Sequence, residues 1–208
     1  QQEIIPLPRK EAWPSVQSVD LVKAMACRQS CRDYQPLPLQ LDELAFLLWA
    51  AQGVREQVNP AVVLRTVPSA GCRHGLETYL CILNVQGLAS GMYRYLPIDH
   101  GLVLEQQRDF LAYDMAEAAL GQQFVAHAPV TLMWTALCAR MEWRYGLAAH
   151  KVIALDAGHV CQNLYLACAA VDTGACAIAA YDQDKADALV QVDGDEEFVV
   201  YLATVGKI

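Results

Sequence analysis

Three consecutive segments in the middle of the chain constrain its fold more than any other feature. Glu77–Val85, Gly91–Leu96 and Leu102–Gln106 are rich in apolar, β-branched and aromatic residues, and turn-forming residues separate them. The loop Pro97–Gly101 is short enough to return the chain on itself as a hairpin. Because strands joined by short turns pair antiparallel, this part of the sequence predicts an antiparallel sheet. The apolar run Pro129–Leu137 predicts a further, buried strand.

Helices are predicted on both sides of these strands. The longest runs from about Leu147 to Val171, and its apolar face contains Ala and Cys residues that permit close packing. Four shorter segments also show helical signals: Ser18–Ala26 with Ser18 as the cap, Leu41–Ala51 before Gly53, Asp109–Leu120 and Asp184–Val190. We expect residues 54–67 to be irregular, residues 174–181 to form an Ala-rich connection, and Phe198–Thr204 to form a last strand.

The order of these elements predicts an α+β fold in which helices surround a central, mostly antiparallel sheet. A length of 208 residues fits one domain over residues 1–208. Prolines at positions 6, 8 and 14 prevent a regular helix near the N-terminus. Residues 1–17 are therefore predicted to form an extended arm over the surface or over a partner.

Composition excludes several classes of function. A net charge of −8 argues against general nucleic-acid binding, and no apolar run is long enough to span a membrane. Hydrophobic content of 55% with 18% charged residues indicates extra apolar surface at a subunit interface or around a flat ligand. Eight cysteines without a CxxC pair favour free thiols and a cytoplasmic location. The chain begins with Gln1, which is compatible with a trimmed or mature N-terminus.

Common catalytic and nucleotide-binding motifs are absent from the sequence. It contains no GxGxxG, GxxxxGK[ST] or GxSxG pattern, and we find no recognisable Cys/His nucleophile signature. The five histidines show neither an HxH nor an HExxH spacing, so no metal site is predicted. Any phosphate group must therefore be bound by residues outside these motifs.

The segment Arg28–Arg32 is a candidate phosphate site. Arg28, Ser30 and Arg32 alternate, so in an extended segment all three point to one side, with Gln29 between them. The same spacing is also common on solvated surfaces, and the residues alone leave both interpretations open.

The loop Pro68–Gly75 is a second candidate site, because its small residues let the backbone approach a ligand closely. Within it, His74 could either face that ligand or anchor the loop.

Taken together, these stretches resemble the FMN-dependent nitroreductase family, in particular its branch related to the dehydrogenases of thiazole and oxazole peptide synthesis. The resemblance covers nearly the whole chain. It rests on segments in the family's order: Arg28–Tyr34, Leu47–Gly53, Arg65–Gly71, His74–Glu77, Gly87–Leu88, Gly91–Tyr95, Leu155–Leu164 and Val205–Lys207.

The resemblance implies an intertwined homodimer with two FMN molecules at the subunit interface. Arg28, Gln29, Ser30 and Arg32 would hold the phosphate and ribitol, with Lys207 as a weak substitute for a missing C-terminal basic segment. The loop Pro68, Ser69, Ala70 and Gly71 of the other subunit, with His74, would line the isoalloxazine, and the backbone of Ala179 and Ala180 would lie near flavin N5. No catalytic side chain is implied.

By the same resemblance, NADH or NADPH would reduce the flavin in a ping-pong cycle that ends on a small-molecule electron acceptor such as a nitroaromatic compound, a quinone or an enone. Two alternatives stay open. One is an FMN-dependent oxidase or dehydrogenase of a modified peptide or metabolite, and the other is a flavin-binding protein without turnover.

Overall fold

The computed structural model describes residues 3–60 and 62–208. The predictions made for the first two residues of the arm, and for Ala61 within the segment 54–67, lie outside the described residues.

A seven-stranded sheet forms the centre of the molecule, and every neighbouring pair of its strands is antiparallel. In space the strands follow the order β1-β6-β5-β4-β7-β9-β8, while β2 and β3 form a separate two-stranded ribbon. Numbered along the chain, the strands are β1 (Ile4–Pro6), β2 (Val54–Asn59), β3 (Val62–Arg65), β4 (Leu76–Ile82), β5 (Gly91–Leu96), β6 (Gly101–Gln106), β7 (Val130–Leu137), β8 (Thr173–Ile178) and β9 (Glu197–Lys207). The predicted α+β fold with its antiparallel sheet is confirmed.

Seven α-helices accompany the sheet in the described ranges: α1 (Leu21–Cys27), α2 (Leu41–Gln52), α3 (Leu111–Ala118), α4 (Phe124–His127), α5 (Ala139–Tyr145), α6 (Ala149–Cys168) and α7 (Gln183–Val190). The predicted cap of α1 is wrong, because Asp20 and not Ser18 occupies the N-cap, and its carboxylate accepts a hydrogen bond from Lys23 N at 3.0 Å. Helices α4 and α5 were not predicted. No helix in the described part of the chain is long and apolar enough to cross a bilayer.

Side chains on the two faces of the sheet enter two separate cores. Along β4, Leu80 and Ile82 pack with the buried faces of α2 and α6, while Tyr79 and Cys81 pack with α3 and α7 on the other face. This alternation follows from the two-residue period of a strand. The sheet therefore lies between two layers of helices.

Two predictions about irregular segments are wrong. Residues 54–67 contain the antiparallel ribbon β2–β3, in which Val54 pairs with Arg65 and Gln57 with Val63. The Ala-rich connection is in fact β8, the outermost strand, paired with β9 along its length. Its small residues have low strand propensity, but pairing and burial in the sheet outweigh that preference.

The N-terminal arm lies on the edge of its own sheet. Ile4–Pro6 pairs with β6, and Leu7 N donates to His100 O at 3.0 Å. Further along, the Trp13 ring lies 5.5 Å from both Phe46 and Trp49 of α2, measured between ring centroids. These contacts tie the arm to the protomer it belongs to.

Candidate functional site

The candidate phosphate segment lies along the outer edge of β8. Ser30 forms a parallel bridge with Ala175, Cys31 N donates to Ala175 O at 2.8 Å, and Gln35 N donates to Lys207 O at 2.9 Å. At Gly174 an added Cβ would lie 2.6 Å from Cys31 Cβ, so the small residue permits this approach. The segment thus covers the strand edge with its own backbone.

Both guanidinium groups of this segment are exposed and lie over aromatic rings. Arg28 lies 5.3 Å from the centroid of the Tyr165 ring, and Arg32 lies 5.8 Å from that of Phe124. Neither forms an ion pair with any residue in the described ranges. Tyr165 packs against the core with α2 and α6, and Phe124 packs against the core with α3 and α7, so the two guanidinium groups lie toward different faces of the sheet and not on one side as expected. Each unpaired cation can receive an anionic group.

Tyr165 of α6 connects the segment to β8. Its hydroxyl accepts a hydrogen bond from Ala177 N at 2.8 Å and lies 3.1 Å from Ser30 Oγ. Gln29, beside Ser30, lines a small cavity of about 120 Å³ together with Arg28 and Tyr165. The site therefore includes Tyr165, which sequence reasoning missed because it lies 135 residues from Ser30.

The chain leaves β8 with two exposed alanines. Within the described part of the chain, nothing accepts a hydrogen bond from the backbone N–H of Ala179 or Ala180, while Ala180 O accepts one from Gln122 Nε2 at 3.0 Å. These two amides are available to hydrogen-bond acceptors of a ligand.

Ala179 also lines a cavity of about 990 Å³. Helices α5 and α6 and strand β9 form much of its wall, and Gln183 of α7 and the loop residues Asp195 and Glu196 complete it. One part of the lining combines small residues with rings: Ala149, Ala154, Ala157, Gly158 and Ala179 with Tyr181, Phe198 and Tyr201. Glu142, His150, Gln183, Asp195 and Glu196 add polar groups, so the space suits a flat organic ligand with a polar edge.

The loop Pro68–His74 is anchored to another part of α6. Ala70 N donates to both carboxylate oxygens of Asp156, at 3.1 and 3.2 Å, and His74 N donates to Ser69 Oγ at 2.9 Å. Gly71 has φ of +58°, and an added Cβ would lie 2.7 Å from the Tyr145 hydroxyl. Glycine is therefore required at that turn.

The two candidate segments do not face each other within one protomer. Asp156, which holds the loop, and Tyr165, which contacts the phosphate segment, are nine residues apart on α6. At 100° per residue this separation places them on opposite faces of the helix, about 13 Å apart along its axis. Within one protomer, the loop and the phosphate segment are therefore held on different sides of α6.

His74 contacts its own loop and the neighbouring strand. Its Nε2 lies 3.3 Å from Cys72 Sγ and 3.2 Å from Val63 O. Burial, assisted by the positive charge of Arg65, lowers the pKa of His74 below its ordinary value. Of the two roles left open for His74, loop anchoring has direct contacts in the structure.

Lys207 lies outside the phosphate segment. Its Nζ is 2.6 Å from Glu43 Oε1 and donates to Val171 O at 2.9 Å. The ammonium group is therefore occupied by a partner on α2. Among the described residues, no group of three or more His, Cys, Asp or Glu side chains is arranged to hold a metal ion.

Comparison with known proteins identifies the family. The model of the Nitroreductase family matches residues 25–207. A protein of Methanocaldococcus jannaschii, provisionally named a nitroreductase, is 31% identical over 194 residues, which are 93% of this chain and 94% of that protein. The trifolitoxin-processing protein TfxF of Rhizobium leguminosarum bv. trifolii is 31% identical over 134 residues, 62% of this chain and 43% of that protein.

Solved structures show the same fold. A protein of Ralstonia eutropha JMP134, also provisionally named a nitroreductase, superposes with a TM-score of 0.81 at 27% identity, over 98% of this chain and 89% of that one. A chain of the Escherichia coli microcin synthetase McbBCD complex, solved with truncated pro-MccB17 bound, gives a TM-score of 0.73 at 17% identity, over 94% and 76% of the two chains. Because the second match is only 17% identical, it supports the shared fold and nothing about function.

Proposed function

Because the chain belongs to the nitroreductase family, we propose that it is an FMN-dependent oxidoreductase. In the proposed reaction NADH or NADPH supplies a hydride, and an electrophile such as a nitroaromatic compound, a quinone or an enone receives it. The two substrates occupy the same site in turn, in a ping-pong cycle. The active form is a homodimer with two cofactor sites.

The arrangement along the outer edge of β8 is the observation that supports this proposal most. Unpaired guanidinium groups flank Ser30 beside Ala175, and the free amides of Ala179 and Ala180 follow the end of the strand. Four residues of extended strand separate Ala175 from Ala179, which is about 13 Å. An anion site at one end and amide donors at the other fit an elongated, phosphorylated cofactor.

A bound flavin would supply the hydride chemistry. Arg28, Gln29, Ser30 and Arg32 would hold its phosphate and ribityl chain through charge-assisted hydrogen bonds. The amides of Ala179 and Ala180 would orient the ring edge, and the small and aromatic side chains in the cavity beside them would pack against the ring. No side chain is assigned a proton-transfer role.

The geometry of α6 supports the proposed homodimer. Because the loop and the phosphate segment lie on opposite faces of that helix, a second protomer would bring its own loop to the cofactor. We propose that Pro68, Ser69, Ala70, Gly71 and His74 line the cofactor bound by the other protomer. The exposed apolar side chains on α1, α5, α6 and the turn between α5 and α6 are available for the contact: Leu21, Val22, Met25, Trp143, Leu147 and Leu155.

A second candidate function is oxidation of a modified peptide, with electrons passing from the peptide to the cofactor and then to oxygen. The similarity to a protein named for trifolitoxin processing favours it. In this case the same phosphate segment and the same amides hold the cofactor, and only the electron donor differs. A flavin that neither nicotinamide cofactor reduces would favour the peptide oxidase.

The cofactor assignment is tested by the variant Arg28→Ala. Loss of one charge-assisted hydrogen bond should weaken FMN binding by roughly 1.5–3 kcal/mol, or about ten- to 150-fold in Kd. Quenching of FMN fluorescence on titration with protein measures this change. Arg108→Ala is the matched control, because Arg108 pairs with Asp114 at 3.0 Å. Unchanged affinity in Arg28→Ala would refute the assignment.

A further inference from the structure

A thiol and an imidazole to which the proposed reaction assigns no proton-transfer role meet in the loop between β3 and β4. Cys72 Sγ lies 3.3 Å from His74 Nε2, and both residues have left-handed backbones, with φ of 56° and 49°. In an extended chain the side chains of residues i and i+2 point the same way. In a tight turn, the contact between the two side chains requires unusual dihedral angles such as these left-handed ones. The loop therefore holds a nucleophile beside a base.

Burial makes most of the other cysteines poor nucleophiles. It raises the pKa of Cys81, Cys138, Cys161, Cys168 and Cys176, because a thiolate is unfavourable away from water. That leaves the exposed Cys27 and the half-buried Cys31 and Cys72. Cys31 Sγ donates to Asp33 O at 3.2 Å and Cys72 Sγ lies 3.4 Å from Val63 O, but among the eight cysteines, all of them described, only Cys72 also contacts a histidine ring.

The surroundings of Cys72 are electropositive, as those of reactive thiols are. Arg65 interacts electrostatically with both Cys72 and His74, and Arg140 donates to His74 O at 3.1 Å. Its carboxylate neighbours are engaged elsewhere: Asp156 accepts from Ala70 N, and Glu77 pairs with Arg140 at 2.6 Å. A thiolate formed at Cys72 would thus meet positive charge.

His74 Nε2 is the ring atom that faces Cys72 Sγ, so it can accept the thiol proton in the tautomer that carries its hydrogen on Nδ1. Nδ1 itself is buried and has no hydrogen-bond partner in the described part of the chain. Once protonated, Nε2 can donate to Val63 O, 3.2 Å away. That hydrogen bond partly offsets the burial and the Arg65 charge that lower the pKa of His74.

We propose that Cys72 and His74 form a second reactive site, at which the Cys72 thiol adds covalently to electrophiles of the α,β-unsaturated carbonyl class. His74 Nε2 takes the thiol proton while Sγ forms a bond to the β-carbon. The π electrons of the C=C bond move toward the carbonyl, and the proton returns to the α-carbon. No leaving group, oxidant or reductant is needed, so the step requires neither bound flavin nor the proposed reductase activity.

The test uses the purified full-length protein and limiting N-ethylmaleimide as the unsaturated electrophile, with site-resolved labelling followed by peptide mass spectrometry. Cys72 should react at least about ten-fold faster than Cys27, although Cys27 is the more exposed thiol. Labelling of Cys27 ahead of Cys72 would overturn the proposal.

The variant His74→Asn separates activation from exposure, because Asn tolerates a left-handed backbone but cannot act as a base. The Cys72 rate should fall at least about ten-fold, while the Cys27 rate in the same sample stays unchanged. An unchanged Cys72 rate in a folded variant would contradict the role of His74.

Should His74→Asn not fold, the pH profile of the unsubstituted protein decides the question. The ratio of the Cys72 rate to the Cys27 rate should rise between about pH 8 and pH 6, because only Cys72 has a neighbouring base. A ratio that stays constant would overturn the proposal. The Arg28→Ala titration tests FMN binding separately, at a residue outside this loop.

Discussion

At the scale of single residues, Tyr165 shows how one hydroxyl group can organise a binding edge. It contacts Ser30 Oγ at 3.1 Å and Ala177 N at 2.8 Å, and its ring lies under the Arg28 guanidinium. One side chain of α6 thereby fixes the separation between the phosphate segment and β8. The geometry of the proposed site depends on this residue, which the sequence analysis did not identify.

Lys207 contributes to stability in a way that its expected role at the phosphate did not anticipate. Its ammonium group pairs with Glu43 at 2.6 Å, with side chains only 18% and 6% exposed. Glu43 also closes the capping box of α2, where Gln40 N donates to its other oxygen at 2.9 Å. The pair joins the end of β9 to the start of α2.

We therefore predict that Lys207→Met lowers the free energy of unfolding by about 3 kcal/mol, because a buried carboxylate loses its partner. Urea unfolding measures the change. Lys185→Met is the matched control, since its pair with Glu117 is 51% and 43% exposed and should contribute less than about 1 kcal/mol. Weakened FMN binding with unchanged stability would instead assign Lys207 to the phosphate.

The residue pattern predicted part of the site and could not predict the rest. Arg28, Ser30 and Arg32 were identified from the sequence because alternation within one extended segment is a local property. The contacts of Tyr165, Asp156 and Lys207 depend on tertiary packing between residues far apart in the chain. The Cys72–His74 contact is local, but it depends on dihedral angles that residue types alone do not reveal.

At the scale of elements, β8 was misassigned as a connection because its small residues permit close packing but have low strand propensity. Small residues at Gly174 and Ala175 let the phosphate segment lie against the strand edge. The same residues gave no β-propensity signal. In contrast, β5 and β6 were predicted with their connecting loop, since a short turn between two apolar runs is a local signal.

A substitution on helix α6 tests the proposed homodimer. Leu155 is 53% exposed on this helix, so Leu155→Asp should place a charge in the proposed dimer contact. In a symmetric dimer the substitution removes two apolar contacts, each worth about 1.5–3 kcal/mol. The dimer should therefore dissociate at micromolar concentration. Light scattering measures the molecular mass in solution. The control is Tyr113→Asp, because Tyr113 lies on α3 and its side chain is 64% exposed. A Leu155→Asp dimer as stable as the unsubstituted one would exclude this face.

At the scale of the whole molecule, alternating patterns predicted the class of fold but not its strand order. The hairpins and the buried strand β7 indicated an antiparallel sheet, which the structure confirms. The placement of β9 between β7 and β8 joins distant parts of the chain, and periodicity within a strand carries no information about its neighbours. Exposed apolar side chains occur on α1, α5 and α6, including Met25, Trp143 and Leu155, while the subunit interface or flat ligand expected from the apolar excess stays a prediction.

The central claim is that this protein binds FMN and uses it to transfer hydride. An absorbance spectrum of the freshly purified protein from about 300 to 550 nm, followed by NADH and then NADPH without oxygen, tests it most directly. We predict a flavin spectrum, intrinsic or after addition of FMN, that one of the two nicotinamide cofactors bleaches. A flavin that neither bleaches would favour the peptide oxidase. A protein that neither contains FMN nor takes it up would contradict the account.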